Sequence, residues 1–184
     1  MMKTISDVLA PIRRVITDNN TSGKSFFLED GPSPSIKKVP ERPGYRVTNL
    51  WRTTESPVKV HAPDTITQHV GVLPAPLGNV LRIIDYPPEP KDPAEIKRLQ
   101  DATFSQLYKD AGHDLKPGDH PGMHITKTVD YALVLAGEMT AIMETEETVL
   151  RAGDVLIQRG TNHAWANRSD FPARIAFILI DGQD

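Results

Sequence analysis

The chain has 184 residues, a formal net charge of −3 and no cysteine. Its 21 basic and 24 acidic residues form no block of like charge, so we expect neither a nucleic-acid nor a membrane partner. The lack of cysteine excludes disulfides, thiolate nucleophiles and cysteine-based zinc sites. No apolar run approaches the ~20 residues of a membrane span. The start of the chain also lacks the continuous apolar core of a signal peptide. We therefore predict a single cytoplasmic domain over residues 1–184, long enough to bury a core.

The first half of the chain alternates short β-patterned runs with turn-forming residues. We predict one short helical turn followed by four strands, over residues 6–10, 11–17, 24–29, 46–53 and 79–86. The first two strands are joined by residues of loop composition and form a hairpin. Residues 31–44 contain four prolines, so we expect them to cross the surface without regular structure.

One helix is predicted between the two halves of the chain. Asp92 is a suitable N-cap, and Pro93 fits the first helical position. Apolar residues then recur at near-helical intervals up to Tyr108, and Gly112 follows as a stop signal. The pattern predicts an amphipathic helix over residues 93–111, either packed on the outside of the protein or covering a pocket.

The second half of the chain contains six short β-patterned runs separated by glycine-containing turns. They cover residues 131–136, 139–144, 147–150, 154–158, 164–167 and 173–180. Short strands at such even spacing predict an all-β sandwich or barrel, the jelly-roll kind in particular.

Two spaced motifs lie within these strands. The first consists of Gly118, His124, Thr126, Asp130 and Gly137, and the second of Gly153, Arg159, Gly160, His163 and Asn167. This double spacing resembles the two motifs of the cupin superfamily. The amino-acid sequence from residue 121 onward is similar to that of a subgroup of small single-domain cupins. The resemblance implies a double-stranded β-helix with an N-terminal strand extension and one inserted α-helix. It also implies a homodimer formed through the N-terminal strands.

The resemblance implies a metal site formed by His124, Asp130 and His163. Parity puts His124 and Asp130 on one face of a strand, but an unbroken strand would separate them by about 20 Å, so the chain has to bend between them. Two histidines and one carboxylate suit a divalent ion: Fe(II), Zn, Mn, Ni or Co. Thr126 stands where the family has a second histidine, and it is a poor metal ligand.

Other residues complete the predicted site. Arg82 is a candidate catalytic group that anchors an anionic part of the substrate, and Arg159 is a second anchor. His120 is a candidate proton carrier or replacement ligand. Thr126, Trp165 and Trp51 are predicted to line the substrate pocket. His61 and His69 have no partner spacing, so we expect both to face solvent.

Three functions remain open on the sequence alone. The first is a metal-dependent enzyme, a dioxygenase, decarboxylase or isomerase acting on a small carbonyl or carboxylate compound. The second is a metal-free cupin that binds or senses a small molecule. The third is a metal-free epimerase that uses a histidine and an acid for proton transfer.

Overall fold

A computed structural model describes residues 9–183, so positions 6–8 of the predicted first turn lie outside the described residues. It contains one α-helix, α1 at Pro93–Leu107, and eleven β-strands. The strands before the helix are β1 Arg13–Asn19, β2 Ser25–Pro32, β3 Ser35–Lys38, β4 Arg46–Thr53 and β5 Asn79–Tyr86. The strands after it are β6 Thr128–Ala136, β7 Glu138–Met143, β8 Glu147–Arg151, β9 Val155–Arg159, β10 His163–Ala166 and β11 Ala173–Asp181. A short 3₁₀ helix occupies Ile66–Gln68.

The strands form two facing sheets and a separate hairpin, and all strand pairs are antiparallel. The larger sheet has six strands in the order β3-β4-β5-β11-β6-β9, and the smaller has the order β10-β7-β8. Side chains of both sheets meet in one buried core, in which Met139 and Trp165 of the smaller sheet pack with Val80 and Phe177 of the larger. This arrangement confirms the all-β, double-stranded β-helix prediction. The hairpin of β1 and β2 confirms the predicted pairing of the first two strands.

Helix α1 begins as predicted and ends earlier. The Asp92 carboxylate accepts a hydrogen bond from Ala94 N at 3.0 Å, which satisfies one of the free N–H groups of the first turn. The helix ends at Leu107, because Tyr108 leaves the helical conformation and its hydroxyl lies 2.8 Å from that of Tyr45. Among residues 9–183, no helix is long and apolar enough to cross a membrane.

The proline-rich segment contains a strand that the sequence analysis missed. Residues Ser35–Lys38 pair with β4 at the edge of the larger sheet. Pro34 and Pro40 flank the strand, and an edge position tolerates proline because one side of the strand needs no ladder hydrogen bonds. The expectation of an irregular surface segment is therefore wrong for these residues, and Val39 and Arg42 that follow are buried.

Candidate functional site

A cavity opens between the two sheets, with α1 along one side. The space enclosed by its lining residues is about 600 Å³, part of it at the open mouth. About 60 Å³ of it can be occupied by the centres of water-sized molecules. Six of the predicted site residues line it: Arg82, His124, Thr126, Asp130, His163 and Trp165.

Two of the lining histidines are placed side by side by the backbone. His124 and His163 form an isolated antiparallel bridge, with N-to-O distances of 2.9 and 3.0 Å. Gly160 makes this possible, because its φ of +60° turns the chain after β9 and before His163. The centroids of the two imidazole rings are 4.3 Å apart.

The loop carbonyls fix the tautomer of both rings. Nδ1 of His124 lies 2.9 Å from Gly122 O, and Nδ1 of His163 lies 2.9 Å from Thr161 O. A carbonyl oxygen only accepts hydrogen bonds, so each Nδ1 carries the proton and each Nε2 keeps a free lone pair. Burial lowers the pKa of both rings, that of His163 to about 3 with a further contribution from His124. Both imidazoles are therefore neutral at neutral pH.

Asp130 is the one carboxyl group in the lining of the cavity. It lies on β6 between β11 and β9, is 4% exposed, and its Oδ1 has no hydrogen-bond partner. Burial raises the pKa of Asp130 to about 6, against the opposing effects of Thr128 and the positive charge of Arg82. The cavity thus holds a carboxyl oxygen that is available to a bound molecule.

The three predicted metal ligands share this cavity without forming a three-ligand centre. Within the part of the chain that the structure describes, no three His, Asp or Glu side chains are close enough together to hold a metal ion. His124 and His163 are adjacent, whereas Asp130 does not join them. The residues present therefore do not fit the predicted triad, and what remains of it is a pair of imidazoles.

Arg82 is buried at the centre of the larger sheet, at 1% exposure. One of its terminal nitrogens contacts His69 Nε2 at 2.6 Å and donates to the Val72 carbonyl at 3.1 Å. His69 is 4% exposed, so the prediction that this histidine faces solvent is wrong. Burial and the charge of Arg82 lower the pKa of His69 to about 4, which keeps the ring neutral and able to accept.

The structure places His120 outside the cavity lining, in a polar contact of its own. Its Nε2 lies 3.0 Å from Glu89 Oε1, and its Nδ1 accepts a hydrogen bond from Gly122 N at 3.0 Å. Both ring nitrogens are therefore occupied, which leaves no lone pair for a substrate. The structure does not support His120 as the proton carrier or replacement ligand, and the Pro-Gly turn explains why: it directs the ring toward Glu89 and back onto its own loop.

Trp51 and Arg159 also lie away from the cavity. The register of β4 against β5 shifts between Asn49 and Trp51. This irregularity breaks the alternation and leaves Trp51 beside the β1–β2 hairpin. On β9, Gln158 is the buried residue, at 2% exposure, so Arg159 next to it points outward. The structure removes both residues from the predicted pocket.

Several lining residues were missed by the sequence analysis. Arg42, Tyr45 and Tyr108 line the cavity together with Phe104 of α1. His113 stacks on Phe104 with a centroid distance of 3.8 Å. Helical periodicity pointed to Phe104 and Tyr108 as core residues, but nothing in the proline-rich sequence around Arg42 indicated a buried guanidinium.

Comparison with known proteins finds a family match for part of the chain. Residues 113–180 match the family model Cupin_2, a cupin domain. A phomopsin biosynthesis cluster protein C' of Diaporthe leptostromiformis is 29% identical over 179 residues, which cover 92% of this chain and 78% of the relative. A cupin-domain-containing oxidoreductase, srdD of Neurospora crassa, is 24% identical over 171 residues, 88% of this chain and 85% of the relative.

A shorter match has a higher identity. An oryzines biosynthesis cluster protein J of Aspergillus oryzae is 42% identical over 72 residues, which are 38% of this chain and 40% of the relative. The cupin-domain match, the two facing sheets and the paired histidines agree with one another. Residues 113–180 thus match a cupin domain, and the first two relatives are similar to this chain over most of its length.

Proposed function

We propose that this protein is an enzyme that transfers a proton on a small, largely apolar molecule held in the cavity. Among the reactions considered from the sequence, this corresponds to an isomerase or epimerase. The names of the relatives support an enzymatic role on a small molecule, because they include a cupin-domain-containing oxidoreductase and proteins of biosynthesis clusters. The support for the reaction type comes from the cavity.

The observation that carries the proposal is a set of polar atoms without protein partners beside the apolar wall of the cavity. The two Nε2 lone pairs of His124 and His163 are side by side, and Asp130 Oδ1 is buried without a partner. The apolar wall is formed by Ile84, Phe104, Trp165, Phe177 and Leu179. Buried polar atoms normally have hydrogen-bond partners, so the unpartnered Asp130 Oδ1 points to a ligand that supplies one.

Each of these groups has a chemical part in the proposal. Asp130 Oδ1 takes a proton from the bound molecule or returns one to it, because it is the carboxyl oxygen that no protein group occupies. The two imidazoles accept hydrogen bonds at Nε2 from a hydroxyl or amine of the substrate and so orient it. Their own orientation is fixed by Gly122 O and Thr161 O, which makes the pair rigid.

The proposal is tested by hydrogen exchange in heavy water. A panel of small carbonyl compounds is incubated with the metal-depleted protein, and loss of the signal of the hydrogen next to the carbonyl is followed by proton NMR. We expect exchange on at least one compound, and loss of that exchange in His163→Gln. The control is His61→Gln, whose ring is 65% exposed and lies outside the cavity. Exchange that survives in His163→Gln would contradict the proposal.

A divalent metal held by His124 and His163 is the second candidate, and one observation favours it. Both rings donate Nδ1–H to a backbone carbonyl, an arrangement that orients metal-binding histidines. A bound metal would supply Lewis-acid chemistry to the cavity. Elemental analysis of untagged protein, as purified and after incubation with Fe(II) and Zn(II), tests it. About one ion per chain in the parent and none in His163→Ala supports this candidate; equal contents remove it.

A further inference from the structure

Two guanidinium groups in the cavity have no carboxylate partner. Arg82 is 1% exposed, and its contacts are the neutral His69 ring and the carbonyls of Gly71 and Val72. Its Nε is buried without any hydrogen bond. Carbonyls and a neutral imidazole satisfy donors, but they leave the positive charge uncompensated.

Arg42 also has no carboxylate partner. It is 6% exposed, and its guanidinium lies over the ring of Tyr45 at 4.4 Å from the centroid. Its hydrogen bonds are long, 3.4 Å each from the same nitrogen to Gln100 Oε1 and Thr103 Oγ1. Such distances are at the limit of hydrogen bonding, so most of its donor capacity is unused.

Arg14, the other buried arginine among the described residues, is paired, and so are the partly buried Arg46 and Arg174. Arg14, at 5% exposure, forms ion pairs with Glu29 and Asp64. Arg46 and Arg174 share Asp85. Because burying an unpaired charge is costly, folded proteins normally supply an opposite charge. Arg42 and Arg82 differ from these three in that respect, and both face the cavity.

Among the described residues, neighbouring groups in the cavity form no ion pair with either arginine, although the charges of Arg82 and Asp130 act on each other. Tyr45, Tyr86 and Tyr108 surround the two guanidinium groups, and burial raises the pKa of each phenol, so all three stay neutral. Asp130 forms no ion pair with either arginine within residues 9–183. The phenol hydroxyls add hydrogen-bond donors, and the hydroxyl pair of Tyr45 and Tyr108, 2.8 Å apart, lies on the same side of the cavity.

The guanidinium groups of Arg42 and Arg82 are separated from the paired histidines by an aromatic side chain. The Phe104 ring lies 5.3 Å from that of His124 and 5.9 Å from that of Tyr108. A molecule that spans the cavity can therefore contact charged guanidinium groups at one end, an aromatic surface in the middle and the imidazoles at the other end.

We propose that the cavity binds its ligand through a carboxylate held between Arg42 and Arg82, with the apolar remainder of the molecule against Phe104. The planar fork of a guanidinium matches the two oxygens of a carboxylate, and the buried setting strengthens the contact. The inference rests on the proposed function for the identity of the site and extends it by naming the substrate class, a small apolar carboxylic acid.

Binding is measured without turnover, so that it can fail independently of the proton-transfer proposal. Benzoate and hexanoate serve as probes, and their amides, benzamide and hexanamide, serve as neutral analogues of the same shape. In titration calorimetry the parent is expected to bind at least one acid at least about tenfold more tightly than its amide, as a charge-assisted hydrogen bond implies. Equal affinity for acid and amide, or tighter binding of inorganic phosphate than of either acid, would overturn the inference.

Two variants and one control locate the anion. Arg42→Gln is expected to remove the preference for the acid, and Arg82→Lys to reduce it several-fold, because lysine keeps the charge but loses the fork. Arg98→Gln, an arginine of α1 that is 58% exposed, is expected to bind like the parent. If both cavity variants keep the preference of the parent, the carboxylate lies elsewhere and the inference fails.

Stability in the absence of any acid gives a second test, should Arg82→Lys fold poorly. Arg42→Gln is expected to keep or raise the melting temperature, because it removes an uncompensated charge. Arg46→Gln is expected to lower it by at least ~4 °C, because it breaks an ion pair with Asp85. An equal loss in the two variants would show that Arg42 is already paired and would contradict the inference.

Discussion

His124 and His163 lie directly opposite each other across an antiparallel bridge, and each donates a backbone hydrogen bond to the other. The bridge thereby joins the first motif to the second at their histidines. Because the backbone makes the bridge, the side chains are free to serve the cavity, and their separation is set by the bridge and not by a bound ligand.

Replacement of His163 should therefore change the site and not the fold. In His163→Gln the side-chain amide can still donate to Thr161 O, so we expect the free energy of unfolding to change by less than about 1.5 kcal/mol. Urea unfolding followed by circular dichroism measures it. Loss of a cooperative transition would show that the imidazole holds the barrel together.

Acid should destabilise the protein through buried neutral histidines. The pKa of His69 is about 4 in the folded state against an ordinary value of 6.5. A lowered pKa in the folded state means that the unfolded state binds more protons. The contribution of neutral His69 to the free energy of unfolding is therefore complete above about pH 6.5 and is lost as the pH falls toward 4. The full effect is about 3 kcal/mol. Unfolding free energies at several pH values in this window should fall less steeply in His69→Gln, and identical slopes would contradict the assignment.

Breaking the ion-pair network at Asp85 should be costly. Asp85 is 4% exposed and pairs with both Arg46 and Arg174, so Asp85→Asn leaves two guanidinium groups without their counterion. We expect a loss of about 3–5 kcal/mol in the free energy of unfolding. The control is Asp30→Asn in the exposed pair with Arg13, where the change should stay below about 1 kcal/mol. Similar losses in the two variants would show that burial does not set the cost.

The expected homodimer is tested at the N-terminal hairpin. β2 exposes Phe27 at 73% and Leu28 at 55%, an apolar surface of the kind that association covers. We expect the parent to be a dimer by size-exclusion chromatography with light scattering, and Phe27→Asp to be a monomer. Phe171, also 73% exposed, gives the matched control Phe171→Asp, which should remain a dimer. A monomeric parent would contradict the expectation.

Much of the fold was predictable because its signals are local. Short, apolar β-patterned runs between turn residues predicted β5, β6 and β11, and the Asp92-Pro93 pair predicted the start of α1. The edge strand β3 was not predictable, because four residues between prolines carry little periodicity and are held by pairing with β4. The irregularity between Asn49 and Trp51 is also set by the neighbouring strand, so strict alternation assigned Trp51 to the wrong face.

The site was predictable only where a motif spacing defined it. The motif spacing correctly predicted that His124, Asp130 and His163 line one cavity. It does not give the distances between their side chains, and the carboxyl does not join the two rings. Arg42 and the neutral His69 depend on contacts between segments far apart in the chain. Such contacts leave no local pattern, so only the folded structure reveals the cationic end of the cavity.

The central claim is that Asp130 exchanges a proton with a bound molecule. The most direct measurement is the ratio of hydrogen-exchange rates in heavy water for the parent and Asp130→Asn, both freed of metal and given the same carbonyl compound. The amide has the shape of the carboxyl and cannot accept the proton, so we expect a rate at least about a hundredfold lower in the variant. Equal rates in the two proteins would contradict it.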